Sequence, residues 1–196
     1  MDHPTTPHRG AAPDVTIRGA EEPDNLAIAK IYNEAVRTSI ATFDTEPRSR
    51  ETQRQWLAHH DRRHPVLVAV VEGCVVGWAS LSPWSDRKAY DGTAEVSFYL
   101  GVEHRGHGIG RKLLTELVER SNPAGLHVLL ARIAQPNVVS VHLHESLGFE
   151  RIGAMREVGR KFDRWIDVHL YERMVPSSSG APASGGGPRR ATGEES

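Results

Sequence analysis

The run Arg105-Gly106-His107-Gly108-Ile109-Gly110 carries the plainest chemistry in the sequence. Glycines at a turn let the backbone approach a ligand, and the N–H groups of the turn and of a following helix point outward unpaired. With the helix dipole they make an anion site suited to a pyrophosphate. The run lacks the lysine and hydroxyl pair of a P-loop. It also lacks the leading glycine of the dinucleotide fingerprint, and strands precede it where that fold would place the turn after the first strand. Taken alone, it reads equally as an ordinary glycine-rich turn. Other chemistry is sparse. The one cysteine, Cys74, begins Cys74-Val75-Val76 and reads as a buried structural thiol, with no partner for an internal disulfide. The eleven histidines are scattered. His59-His60 and His142/His144 have no carboxylate or cysteine at ligand spacing, so no metal is expected.

The elements that must hold the glycine run alternate along the chain. Val15–Arg18 reads as an opening strand. Leu26, Ala29, Ile31-Tyr32 and Ala35-Val36 recur at helical spacing after Pro23-Asp24. Arg50–His60 reads as a second helix. The unbroken apolar run Pro65–Val71 turns at Glu72-Gly73 into Val75–Leu81, which predicts a hairpin of buried strands. Thr93–Gly101 is a strand ahead of the glycine run. Gly108–Arg120 is a helix with Ile109, Leu113, Leu114, Leu117 and Val118 on one side. Leu126–Ile133 is a strand, Asn137–Leu147 a helix stopped by Gly148, and Gly148–Val158 and Trp165–Met174 close the chain as strands. The order β-α-α-β-β-β-α-β-α-β-β predicts one mixed α/β domain over residues 14–175. Residues 1–13 and the Ser/Gly/Pro-rich 176–196 read as disordered tails.

Twenty-four basic residues against twenty-five acidic ones argue against a nucleic-acid binder. No apolar run is long enough to span a bilayer and no secretory segment is visible, so a cytoplasmic protein is expected.

Context narrows the reading of the glycine run. Arg105-x-x-Gly108-x-Gly110 after a strand, then Asn137-x-x-Ser140 opening a helix that ends Leu147-Gly148-Phe149, resembles the two signatures of the GNAT acetyltransferases. The element order matches that fold as well, so the resemblance covers Val15 to Met174. Thr45-Glu46-Pro47, Pro83-Trp84 with Ala89-Tyr90-Asp91, Leu143-His144-Glu145 and Trp165 with Asp167-Val168 resemble the phosphinothricin acetyltransferase branch, which includes methionine sulfone and sulfoximine acetyltransferases. The resemblance implies the GNAT fold. That is a mixed sheet of six to seven strands flanked by about four helices, with a splayed strand pair forming an acetyl-CoA cleft. It implies acetyl-CoA as cosubstrate, a small amino-acid-like amine as acceptor, and a homodimer. Leu100, Val102, Arg105, Gly106, His107, Gly108, Ile109, Gly110, Asn137 and Ser140 are the expected cofactor-binding residues. Phe43, Trp84, Arg87 and Tyr90 are expected at the acceptor. Glu95 matches the family's proposed general base, and His144 the helix position near the CoA sulfur. Gly92 departs from the bulkier residue of phosphinothricin enzymes.

The chemistry of amine acetylation supports these roles. An ammonium has no lone pair, so a base must take its proton directly or through water. Glu95 shares a face with Thr93 and Ser97, and burial beside apolar groups would raise its pKa. Its competing reading is an exposed strand glutamate or a structural ion pair. Backbone N–H groups near Leu100 to Val102 are expected to stabilise charge on the acetyl oxygen. His144 would return a proton to the leaving thiolate, or else is a helix histidine bonded to a neighbour. Asn137, Ser140 and His144 fall on one helical stripe and Val139, Leu143 and Leu147 on the packing stripe. Arg87 or Lys88 would bind a carboxylate, between walls from Phe43, Trp84 and Tyr90. Trp165 reads as packing or interface. The rival functions are acetylation of a peptide, lysine or aminoglycoside, and a non-catalytic acyl-CoA sensor.

Overall fold

The computed structural model describes residues 14–176. The tails expected at 1–13 and, beyond Pro176, at the other end lie outside the described residues. Seven strands form one sheet in the order β1-β2-β3-β4-β5-β7-β6. They are β1 (Thr16–Gly19), β2 (Val66–Val71), β3 (Cys74–Pro83), β4 (Thr93–Leu100), β5 (Val128–Ala134), β6 (Glu150–Lys161) and β7 (Arg164–Met174). Every neighbouring pair is antiparallel except β4 and β5. Among the described residues the α-helices are α1 (Asn25–Thr38), α2 (Arg50–Ala58), α3 (Ile109–Ser121) and α4 (Val138–Glu145).

Helices cover both faces of the central strands, which is why β2 and β3 are apolar along most of their length. Leu113, Leu114 and Leu117 of α3 pack with Leu67, Ala79, Leu129, Ile133 and Phe149 on one face. Ile28, Ile31, Tyr32 and Val36 of α1 pack on Trp78 and Val68 on the other. Each leucine of α3 is fully buried, so a change to alanine costs about 2–5 kcal/mol.

Local signals start and stop these elements. Glu72 and Gly73 both adopt left-handed φ, 49° and 79°, and turn β2 into β3. The Ser49 hydroxyl accepts from Thr52 N–H at 3.0 Å and caps α2.

Three sequence expectations need correction. Cys74 is exposed, because it is the first residue of β3 just after the hairpin turn. Leu26 is exposed at the start of α1, where Ile28 takes the core position. In α4, Val139 is 82% exposed, and Val141 with Leu143 and Leu147 packs instead. The helix starts one residue after Asn137, and its inward side is set by the buried His144.

Candidate active site

The sheet is split in its middle. β4 and β5 run parallel and pair only where Thr93–Glu95 meet Val128–Leu130. Beyond Glu95 the strands part, β4 running to Leu100 and β5 to Ala134. Gly101 N–H donates to Val76 C=O on β3 at 2.9 Å. By the alternation of an antiparallel ladder, Phe98 and Leu100 therefore turn their N–H and C=O groups the other way, into the gap. The C=O of Leu100 is met there by the Arg105 guanidinium, from Nε at 3.3 Å and Nη2 at 3.2 Å. Val102 follows in a 3-10 turn, half exposed.

The glycine run lies at the end of β4. Gly106 and Gly108 have φ of 80° and 78°, and an added Cβ at either would meet nothing within 4 Å. Their requirement is conformational rather than spatial. Gly110 is different: it is buried, and a Cβ there would lie 3.2 Å from Leu100. The first helical bond of α3 runs from Lys112 N–H to Gly108 C=O at 3.1 Å. The N–H groups of Ile109, Gly110 and Arg111 thus have no partner within the helix. Ile109 is buried, so it offers its N–H and not its side chain. His107 is exposed, and no acidic residue occupies the first turn of α3. This donor set fits a pyrophosphate.

Asn137 and Ser140 build the start of α4. The Asn137 side chain accepts from Ser140 N–H at 3.1 Å and caps the helix. One turn on, His144 Nδ1 donates to the Ser140 C=O at 2.8 Å, with the Ser140 hydroxyl at 3.4 Å. The ring is 3% exposed and packs against Phe98 and Phe149. Burial pushes the imidazole pKa below its usual value, so the ring is neutral at pH 7. Its Nε2 is then a lone-pair acceptor, buried without a partner among the described residues. A ring in this state must gain a proton before giving one.

Glu95 lies on the opposite face of β4, with Thr93 and Ser97 as expected from the alternation. Its carboxylate is engaged by an ion pair, one of the competing readings of the sequence. Arg132 of β5 grips it, Nε donating to Oε1 and Nη2 to Oε2, both at 2.6 Å. The Glu95 side chain is 18% exposed and that of Arg132 50%. The Arg132 guanidinium also lies over the Trp84 ring, 5.5 Å from its centre. The split sheet thus puts Glu95, Trp84 and Arg132 together on the α1–α2 side, and His144 with the glycine loop on the α3–α4 side.

Phe43 belongs to the segment between α1 and α2. That segment is fastened by Tyr32 hydroxyl to Asp44 at 2.6 Å, Tyr99 hydroxyl to Ala41 C=O at 3.1 Å, and Lys161 Nζ to Thr42 C=O at 2.8 Å. Burial lowers the pKa of Lys161. The Phe43 ring lies against Gly159 of β6, where any Cβ would strike it. Arg87 and Tyr90 are exposed on the loop between β3 and β4. The Arg87 backbone N–H meets Ser85 Oγ at 3.3 Å. A Cβ on Gly92 would meet only His127, at 3.5 Å, an ordinary van der Waals contact.

Sequence reasoning missed Arg132 and Lys161. Arg132 had a signal, being the one charge in the apolar strand Val128–Ala134. Lys161 had none, since its partner Thr42 is remote in sequence.

Residues 28–149 match the family model described as the acetyltransferase (GNAT) family. The L-amino acid N-acyltransferase MnaT of Escherichia coli is 38% identical over 172 residues, covering 85% of this chain and 100% of that protein. The L-methionine sulfoximine/L-methionine sulfone acetyltransferase of Pseudomonas aeruginosa is 37% identical, covering 85% and 98%. The solved phosphinothricin acetyltransferase of Sinorhizobium meliloti, in complex with acetyl-CoA, superposes with a TM-score of 0.80 at 36% identity, covering 87% of this chain and 94% of its own. The matched segment contains the split in the sheet and both helices beside it, and the chain belongs to the GNAT acetyltransferase family.

Proposed function

We propose that the protein transfers the acetyl group of acetyl-CoA to the amine of a small amino-acid-like acceptor such as methionine sulfone, methionine sulfoximine or phosphinothricin. The observation that carries this reading is the split beyond Glu95, with backbone donors at one mouth and a carboxylate, a guanidinium and an indole at the other. Acetyl-CoA supplies an acyl thioester. In this reading the N–H groups from Gly106 to Gly110 hold its pyrophosphate and the Leu100 N–H faces the acetyl oxygen. Glu95 takes the ammonium proton, directly or through water. His144 gives a proton to the departing sulfur only after its own Nε2 has gained one. Phe43, Trp84 and Tyr90 wall the acceptor.

Resistance to amino-acid analogues is the biological role this implies. A cytoplasmic location fits a chain with one cysteine. A homodimer fits the exposed apolar residues Ile152, Val158, Phe162 and Trp165 on the β6–β7 hairpin, since β6 is a sheet edge.

The test is thiol release from acetyl-CoA with a panel of amines. Rapid release with the three named acceptors is expected. Release only with a lysine peptide, a peptide N-terminus or an aminoglycoside would overturn the acceptor class. Binding of acetyl-CoA without release to any amine would favour a sensor.

A further inference from the structure

Besides Arg87 on the loop before β4, the chain holds a second cation at the split, Arg132. Arg132 lies two residues beyond Leu130, which is the last β5 residue paired with β4. Leu129, Ala131 and Ile133 face the α3 core, so Arg132 projects on the other side, where Glu95 lies. Two of its nitrogens are fixed by Glu95, and its Cζ lies over the Trp84 ring, 5.5 Å from the ring centre. Nη1 makes no hydrogen bond among the described residues. A guanidinium has five N–H groups in a rigid fork, so three remain free on a half-exposed side chain at the mouth of the gap. A cation held this way is pre-organised for an oxyanion.

We propose that Arg132 binds the carboxylate of the acceptor and that Glu95 orients it for that task. The assignment rests on the amine-acetylation reading and makes it narrower. In an α-amino acid the amine and the carboxylate share one carbon. A carboxylate seated on the free edge of Arg132 therefore brings the amine towards the Glu95 oxygens, which touch the same guanidinium. Arg132 also offsets the repulsion that Glu95 alone would exert on an anionic acceptor. The site selects α-amino acids with a free carboxylate over their amides and over amines lacking an acid group.

The experiment compares L-methionine sulfone with its carboxamide, using the wild type, Arg132→Met and Arg132→Lys. The wild type is expected to favour the acid by about 10- to 100-fold in kcat/KM, the range of a charged hydrogen-bonded contact. Arg132→Met should erase that preference through KM for the acid, with acetyl-CoA affinity by calorimetry unchanged. Arg132→Lys should keep part of it. If Arg132→Met does not fold, a several-fold fall of the acid-to-amide ratio in Arg132→Lys carries the test. No preference in the wild type overturns the proposal. So does an Arg132 variant that lowers kcat equally for acid and amide, because Arg132 would then only position Glu95. A wild type that acetylates both lysine peptides and aminoglycosides but neither sulfone compound overturns the underlying acceptor reading, and this assignment with it.

Discussion

The two sides of the split sheet are made of different material. On the α3–α4 side the groups offered at the gap are largely backbone atoms: the free amides that begin α3, Ile109 to Arg111, and the peptide of Leu100. On the α1–α2 side they are side chains drawn from distant segments: Trp84, Glu95 and Arg132. A backbone site is specified by residues that permit one conformation, and Gly106 and Gly108 do so through positive φ alone. A side-chain site is specified by chemistry, and each member depends on how remote strands are brought into register. The first kind is damaged by conformational change and the second by loss of a single functional group.

That contrast can be broken at either side. The largest effect is expected for Glu95→Gln, which keeps shape and removes the basic oxygen. Turnover should fall by about 10²- to 10⁴-fold while calorimetry finds acetyl-CoA binding intact. Undiminished turnover would take Glu95 out of proton transfer. Gly108→Val should act in the reverse sense, because a β-branched residue resists a φ of 78°. A weakening of acetyl-CoA affinity by about tenfold is expected, with acceptor KM little changed; unaltered affinity would detach the loop from the cosubstrate.

Smaller effects sharpen the comparison further. Gly159→Leu should push the Phe43 ring from its place and raise acceptor KM by up to about tenfold, leaving acetyl-CoA affinity alone. Equal effects on both substrates would show that the two sides are mechanically joined. The smallest effect is a pH dependence of stability. Burial holds the His144 pKa in the folded protein below the usual value. As pH falls below about 6.5 the unfolded chain binds the proton first, so stability is lost until the lower folded pKa is passed. The slope for one such site is at most about 1.4 kcal/mol per pH unit. His60, also lowered by burial, acts with the same sign. Urea melts between about pH 7 and pH 5 should therefore show a shallower loss in His144→Gln than in the wild type. Parallel losses would mean that His144 does not resist protonation in the fold.

How far the sequence was legible follows the same division. The order and type of every main element could be read, because β2, β3 and α3 carry unambiguous apolar patterns. The glycine run could be located because its information is local. Glu95 could be named, but its environment could not. Alternation along Thr93–Leu100 says which face it occupies and nothing of a guanidinium arriving from β5. An ion pair was one of the readings open for Glu95, but its partner Arg132 could not be named for that reason. His144 was placed on the right helix, yet its protonation state depends on Phe98 and Phe149, which lie on other elements. Val139 was misread because helical spacing fixes which residues share a stripe, not which stripe faces inward.

The parting of β4 from β5 has a consequence for solvent as well as for ligands. In the free protein, two strands at the centre of a seven-stranded sheet behave as if they were at its border. The amides of Ser97 and Tyr99, bonded across to β3, are held by the ladder, while those of Phe98 and Leu100 open onto the gap. Deuterium will therefore enter β4 at every second residue beyond Glu95, and the most interior strand of the molecule will carry both its slowest and some of its fastest labels.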